Sequence, residues 1–313
     1  LVNRRADRGR QDALNARWLA VAEGQRAAVK ENALRALASP SGQAGTAAAQ
    51  LVAAIACIEV PAGRWPELLP ALVARVTGPS AGPSERRAAV EAVGFVCEEA
   101  PPGVLTAAAN DILTAVINGM QTRDTAVRVA ATKALLGALD LAGDAMARPA
   151  ERDYIMGRVC ETAAQRESDE LAALALQCLV RIVALFYHDL TPQYMTAIEG
   201  LTVAAMRAAE ADDAVRLQAI ELWSTVCEVE CELRERLEEG DADDADGPIK
   251  GFARHALPAI LPTLLLLLTQ QSDEYAEGAS MDDWTPAMAA ATCLGLLAEC
   301  TGWAIVEDGH VLA

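Results

Sequence analysis

The stretch DTAVRVAATKALLGALDL (124–141) decides the fold. It opens on Asp124, an Asp suited to cap a helix. It sets Arg128 at the turn, then runs into the small pair Ala130-Ala131 and an apolar stripe of helical period. The same unit, the second member of a helix pair, recurs along the chain. Its register positions are Ala48-Ala49, Ala88-Ala89, Ala130-Ala131, Leu174-Ala175, Leu217-Gln218 and Ala289-Ala290. The first five lie about 40–44 residues apart and the last step is about 72.

A period in the forties is the mark of HEAT or armadillo repeats. The expected fold is therefore all-α, a right-handed α-solenoid of HEAT repeats built from antiparallel helix pairs. Such repeats rarely do chemistry and present long surfaces to other proteins. The composition agrees: 52% of the 313 residues are apolar but only 4% are aromatic, and alanine dominates. Small side chains of high helix propensity let backbones approach. No run of alternating β-branched residues suggests a sheet.

Reading outward from 124–141, helices are expected over 17–37, 45–60, 65–76, 85–100, 107–120, 125–141, 151–162, 168–185, 192–208, 213–229, 252–270 and 285–300. The turn at Asp213-x-Val215-Arg216 resembles the one at Asp124. At such turns Asp can cap the second helix while Arg ties one turn to the next. Two insertions break the spacing. Residues 228–246 hold ten acids against Arg234 and Arg236, the first part extending a helix and 240–247 expected to be mobile. Residues 272–284 hold a second acidic group ending in Trp284.

The net charge of −18 disfavours phosphate backbones, so no direct nucleic-acid partner is expected, and basic proteins are the natural complement. The same charge also serves solubility. The cysteines, Cys57, Cys97, Cys160, Cys178, Cys227, Cys231, Cys293 and Cys300, form no CxxC pair, and the three histidines are scattered. No metal site or cofactor is expected; the thiols read as free and buried in a reducing compartment. The most apolar run, 256–268, is too short to span a bilayer and reads as a core helix, so no membrane insertion is expected. No nucleophile–base pair or phosphate loop is present, and Asp282-Asp283 lies in a loop, a poor place to preorganise paired carboxylates. The chain is not expected to be an enzyme and has no catalytic residues. It opens on Leu1 in what reads as the end of a repeat and stops soon after another helix begins, so a fragment with both solenoid ends cut is expected.

Several segments resemble importin-β, the nuclear transport receptor family. They are VAAIACIEVPAGRWPELLPALVARVT (52–77), AVEAVGFVCEEAPP (89–102), NDILTAVINGM (110–120), AATKALLGAL (130–139), LQAIELWSTVCE (217–228) and the acidic loop ending DDW (282–284). RWLAV and VKENAL, within 17–34, resemble the end of that family's N-terminal domain. The likeness is collinear and spans the second to the eighth repeat. It implies residues 1–38 as the end of the importin N-terminal domain and 39–313 as a HEAT solenoid of about six repeats, truncated at its C-terminus.

The resemblance implies three partners. Phenylalanine-glycine (FG) repeats of nucleoporins would bind the convex face, between the first helices of adjacent repeats, on Leu113, Thr114, Ile117, Glu151, Tyr154 and Ile155. Ile112, Leu113, Val116 and Met120 make the main stripe of helix 110–120, with Ile117 at its edge and Thr114 beyond. On spacing alone the six residues also describe ordinary repeat packing. Tyr154 stands where the family commonly has Phe. The Ran GTPase, as RanGTP, would be held in part by the acidic loop, here Asp273, Glu274, Glu277, Asp282 and Asp283. That run is interrupted by Ala276, Gly278, Ala279, Ser280 and Met281. The basic helix of importin-α, or basic cargo signals, would lie on the concave face against Glu221, Glu228 and Trp284. The implied protein is a monomeric nuclear import receptor of the cytoplasm, nucleus and nuclear pore. The alternative is a HEAT scaffold or adaptor of the phosphatase-scaffold kind, with no transport role.

Overall fold

Alanine and glycine pairs let two helix backbones touch, and the repeat is assembled at those contacts. The computed structural model describes residues 13–101, 103–165, 167–208, 211–240, 247–269 and 284–307. Among the described residues there is no strand. The chain divides into two compact units, Leu1–Leu141 and Ala142–Ala313.

In the first unit, α1 (13–20) leads into α2 (Glu23–Ala36), α3 (Gly42–Glu59), α4 (Leu68–Thr77), α5 (Pro83–Glu99), α6 (Ala109–Met120) and α7 (Thr125–Ala138). Helices α2/α3, α4/α5 and α6/α7 pair. The second helices stack in the order α3, α5, α7, and the first helices α4 and α6 pack in a separate layer. In the second unit the short α8 (Gly143–Ala147) precedes α9 (Pro149–Ala163), α10 (Asp169–Phe186), α11 (Pro192–Arg207), α12 (Asp213–Glu239), α13 (Phe252–Thr269), α14 (Pro286–Thr301) and α15 (Ala304–Glu307). Here α10, α12 and α14 form the second-helix stack, and α9, α11 and α13 the first-helix layer. The repeat read from the sequence is this pairing, and the fold is an α-solenoid of HEAT type.

The small pairs lie in the seams. Ala49, Ala88, Ala89, Ala131 and Ala290 are fully buried. A methyl group built on Gly119 of α6 would sit 2.8 Å from the Ala131 methyl on α7, and one on Gly94 of α5 would sit 3.0 Å from the Ala134 Cα. The first is shorter than a carbon–carbon contact tolerates and the second is at the tight limit, so glycine permits the close helix spacing at these points.

Polar groups fix the turns. Asp124 accepts from Val127 N at 3.1 Å, as the sequence predicts, and such a cap contributes about 1 kcal/mol. At the later turn the cap is Asp212, which accepts from Ala214 N at 2.8 Å, while Asp213 instead pairs with Arg216 at 2.9 Å. A tie between successive turns is made by Arg87. It donates to the Gly42 carbonyl at 2.8 Å and to Thr46 Oγ1 at 3.2 Å.

One helical reading is corrected. The expected helix over 17–37 breaks at Val21 and Ala22, because Arg26 Nε takes the Val21 carbonyl at 3.1 Å. The same guanidinium reaches the buried Glu59 on α3 at 2.6 Å. Lys30 Nζ at 2.5 Å and Trp18 Nε1 at 3.0 Å complete that carboxylate's partners. Burial pushes Glu59 up, but the hydrogen bonds from Lys30 and Trp18 and the charges of Lys30 and Arg26 outweigh it and hold the carboxyl below its usual value. A buried carboxylate is tolerable only with such compensation. Helix α12 continues through the first part of the 228–246 insertion, as expected, to Glu239, and closes on Gly240 in the left-handed conformation (φ 77°). The apolar run 256–268 lies inside α13. By length and composition α13 and the segment Asp169–Asp189 could cross a membrane, yet half of each is buried against neighbouring helices.

A valine at Gly119 tests the seam. Gly119→Val must push α6 off α7 and is expected to cost about 1–3 kcal/mol. The denaturation midpoint should fall; an unchanged midpoint would show that the α6–α7 spacing is not set there.

Candidate functional site

Each candidate residue is placed by the helix that carries it. On α6, Leu113 and Ile117 are buried beneath the helix at 5% and 2% exposure, and Thr114 is exposed. Ile117, expected at the edge of the stripe, is buried. On α9, Ile155 is buried and Tyr154 is half exposed. The Tyr154 ring lies under the Arg158 guanidinium, 5.8 Å from carbon to ring centre, and Arg158 pairs with Glu161 at 2.5 Å. Glu151 is exposed and gripped through both oxygens by Arg148, at 2.6 and 2.5 Å. Those hydrogen bonds hold its carboxyl below the usual range. Thus Thr114 is the exposed candidate on α6, Glu151 and Tyr154 are the exposed candidates on α9, and Leu113, Ile117 and Ile155 are buried within their own units.

On α12, Glu221 and Glu228 are both exposed and lie seven residues apart, two turns along one face. Partial burial pushes the Glu221 carboxyl up, and the Glu228 charge pushes it the same way. Two carboxylates that repel each other favour a cation that would relieve both. The opposite face of α12 is anchored. Trp223 is fully buried and donates to Thr202 Oγ1 on α11 at 2.9 Å. Trp284 precedes α14 and is 54% exposed. The acidic-loop residues Asp273, Glu274, Glu277, Asp282 and Asp283 lie outside the described residues.

Sequence reasoning missed Glu230. Counted there among the acids of an insertion, it is a buried hub of the second unit. It accepts from Tyr187 Oη at 2.7 Å and from Phe252 N at 2.6 Å, and Lys250 N donates to the same Tyr187 oxygen at 2.8 Å. These bonds bring the chain after the 240–247 insertion back onto α12. The signal was present in the spacing, since Glu230 continues the buried series Trp223, Val226, Cys227 and Leu233.

The stacked helix pairs define the class of the protein as an α-solenoid of HEAT type. No family model matches the chain. It is 42% identical over 285 residues to importin subunit beta-1 of Schizosaccharomyces pombe, covering 89% of this chain and 32% of that protein. The match to importin subunit beta-1 of Saccharomyces cerevisiae is 38% over 298 residues, or 93% and 33% of the two chains. A crystal structure of importin β superposes with a TM-score of 0.87 at 38% identity, over 96% of this chain and 34% of that one. Yeast Kap95 in complex with Nup1, and Kap95p bound to RanGDP, superpose at 0.83 and 0.84, both at 36% identity over 95% of this chain and 34% of theirs. The chain belongs to the importin-β family and spans about a third of the length of the curated relatives it matches.

The carboxylate pair on α12 gives a direct check. In Glu228→Gln the neighbouring charge is gone, so the Glu221 pKa should fall toward its ordinary value, leaving only the part due to burial. An NMR titration of the Glu221 carboxyl reads this; an unchanged value would mean the two groups do not share a field.

Proposed function

We propose that this chain is a partner-binding segment of a nuclear import receptor. The observation that carries the reading is the kinship with importin-β along nearly the whole chain, at a TM-score of 0.87. The Kap95 complexes with Nup1 and RanGDP support nucleoporin and Ran partners for a protein of this kind.

In this reading FG repeats are held by the first-helix layers. Thr114 on α6, and Glu151 and Tyr154 on α9, meet the peptide. Leu113, Ile117 and Ile155 give the apolar support that a Phe ring needs. Each contact is small, so binding is fast and reversible, and several contacts together hold the receptor at the pore. Importin-α or a basic cargo signal is held by the second-helix layer, with Glu221 and Glu228 facing its cations and Trp284 stacking on one of them. RanGTP competes for that layer, assisted by Asp273, Glu274, Glu277, Asp282 and Asp283. The protein works as a monomer without cofactor or catalysis, moving between cytoplasm and nucleus.

Retention on immobilised FG-repeat peptide tests the assignment. Tyr154→Ala is the informative variant, because Tyr154 is half exposed and its loss spares the core. A charge at the buried Ile117 would unfold α6 packing instead. Wild type should be retained and Tyr154→Ala released. Equal retention of the two folded proteins would remove Tyr154 from the site, and no retention of wild type would remove the transport reading.

A further inference from the structure

Outside these surfaces, four of the eight cysteines gather where α12 packs on α14. Cys227 and Cys231 are one turn apart on α12, and Arg234 follows on the next turn of that face. Cys293 and Cys300 are two turns apart on α14. The Cys300 sulfur interacts with the thiols of both Cys227 and Cys231. It donates to Glu230 Oε2 at 3.6 Å and accepts from Arg234 Nη2 at 4.0 Å. Arg234 Nη2 also donates to the Cys300 carbonyl at 2.7 Å, and so pins the last turn of α14 to α12. Cys227, Cys293 and Cys300 are buried, whereas Cys231 is half-buried.

The electrostatics single out one sulfur. Hydrogen bonds from Cys227, Arg234 and Cys231 lower the Cys300 pKa, against burial and the Glu230 charge. Burial raises Cys57, Cys160, Cys231 and Cys293 to about 11 and Cys97 and Cys178 to about 12, and Cys227 is raised as well. A thiolate is the reactive form toward oxidants.

We propose that Cys300 and Cys231 are a peroxide-responsive dithiol that closes to a disulfide across the α12–α14 seam. On losing its proton, the Cys300 sulfur attacks one oxygen of hydrogen peroxide. An S–O bond forms, the O–O bond breaks, and the departing oxygen leaves as water once protonated. The product is a sulfenic acid. The Cys231 sulfur, giving up its proton, attacks the sulfenic sulfur. The S–S bond forms and the hydroxide departs as a second water. Two thiols together lose two electrons and two protons, and hydrogen peroxide is reduced to two waters. Cys231 is the resolving thiol because it is only half-buried, while Cys227 is wholly enclosed. The bridge would make covalent the α12–α14 contact that Arg234 now holds by hydrogen bonds. Those two helices carry or adjoin Glu221, Glu228 and Trp284. The inference rests on that packing alone and stands or falls apart from the transport reading.

The test treats the whole reduced chain with limiting hydrogen peroxide, blocks free thiols with an alkylating agent, and maps the peptides by mass spectrometry. A Cys231–Cys300 cross-link should form ahead of any oxidation of Cys57, Cys97 or Cys160, and dithiothreitol should reverse it. In folded Cys231→Ser the link disappears and dimedone labels Cys300. Oxidation that begins at Cys57 or Cys160, a Cys227–Cys300 link, a bridge between two chains, or no dimedone adduct in the variant would each overturn the proposal. The wild-type map decides the matter even if the variant fails to fold.

Discussion

Close contact between helix backbones at small residues is the constraint on which the other features depend. Ala89 and Ala131 have no exposed surface, Gly119 meets Ala131 where no methyl group fits, and Gly94 meets Ala134 where one would be tight. Tight seams place each second helix at a fixed distance from the next. They also commit the buried faces wholly to packing, so the side chains left over for partners are few. An aromatic-poor, alanine-rich chain gains its burial from many short contacts rather than from large rings.

Polar ties then convert a stack into a surface of fixed geometry. Glu59 gathers Trp18, Arg26 and Lys30 in the first unit. Glu230 gathers Tyr187, Phe252 and Cys300 in the second. Each joins elements tens of residues apart, and each is a buried carboxylate whose lone pairs are used. Beside the second hub, α12 offers Glu221 and Glu228 to solvent from a backbone held by Trp223 on its other face. Rigid support with exposed carboxylates is a suitable arrangement for recognising a basic helix.

The repeat was legible in the sequence because its signal is local. Period, small pair and capping Asp124 all sit within one helix and its turn. The resemblance to importin-β likewise rested on contiguous runs such as 52–77. What escaped depended on distant partners. Nothing near Glu230 announces that Tyr187 and Phe252 will meet it. Nothing near Val21 announces that Arg26 will be drawn toward Glu59 and end a helix that propensity alone would continue. The neighbours Asp212 and Asp213 are equivalent in composition, and only geometry assigns the cap to the first. The burial of Ile117 followed the same rule: a position at the margin of a helical stripe is decided by what packs beside it.

The central claim is that this HEAT segment takes FG repeats on its first-helix layers while its second-helix layers serve other partners. Hydrogen exchange of the whole chain, with and without an FG-repeat peptide, tests it most directly. Slowed exchange concentrated in α6 and α9 is the predicted result. Protection confined to α3, α5 and α7 or to α10, α12 and α14, with α6 and α9 unaffected, would contradict it.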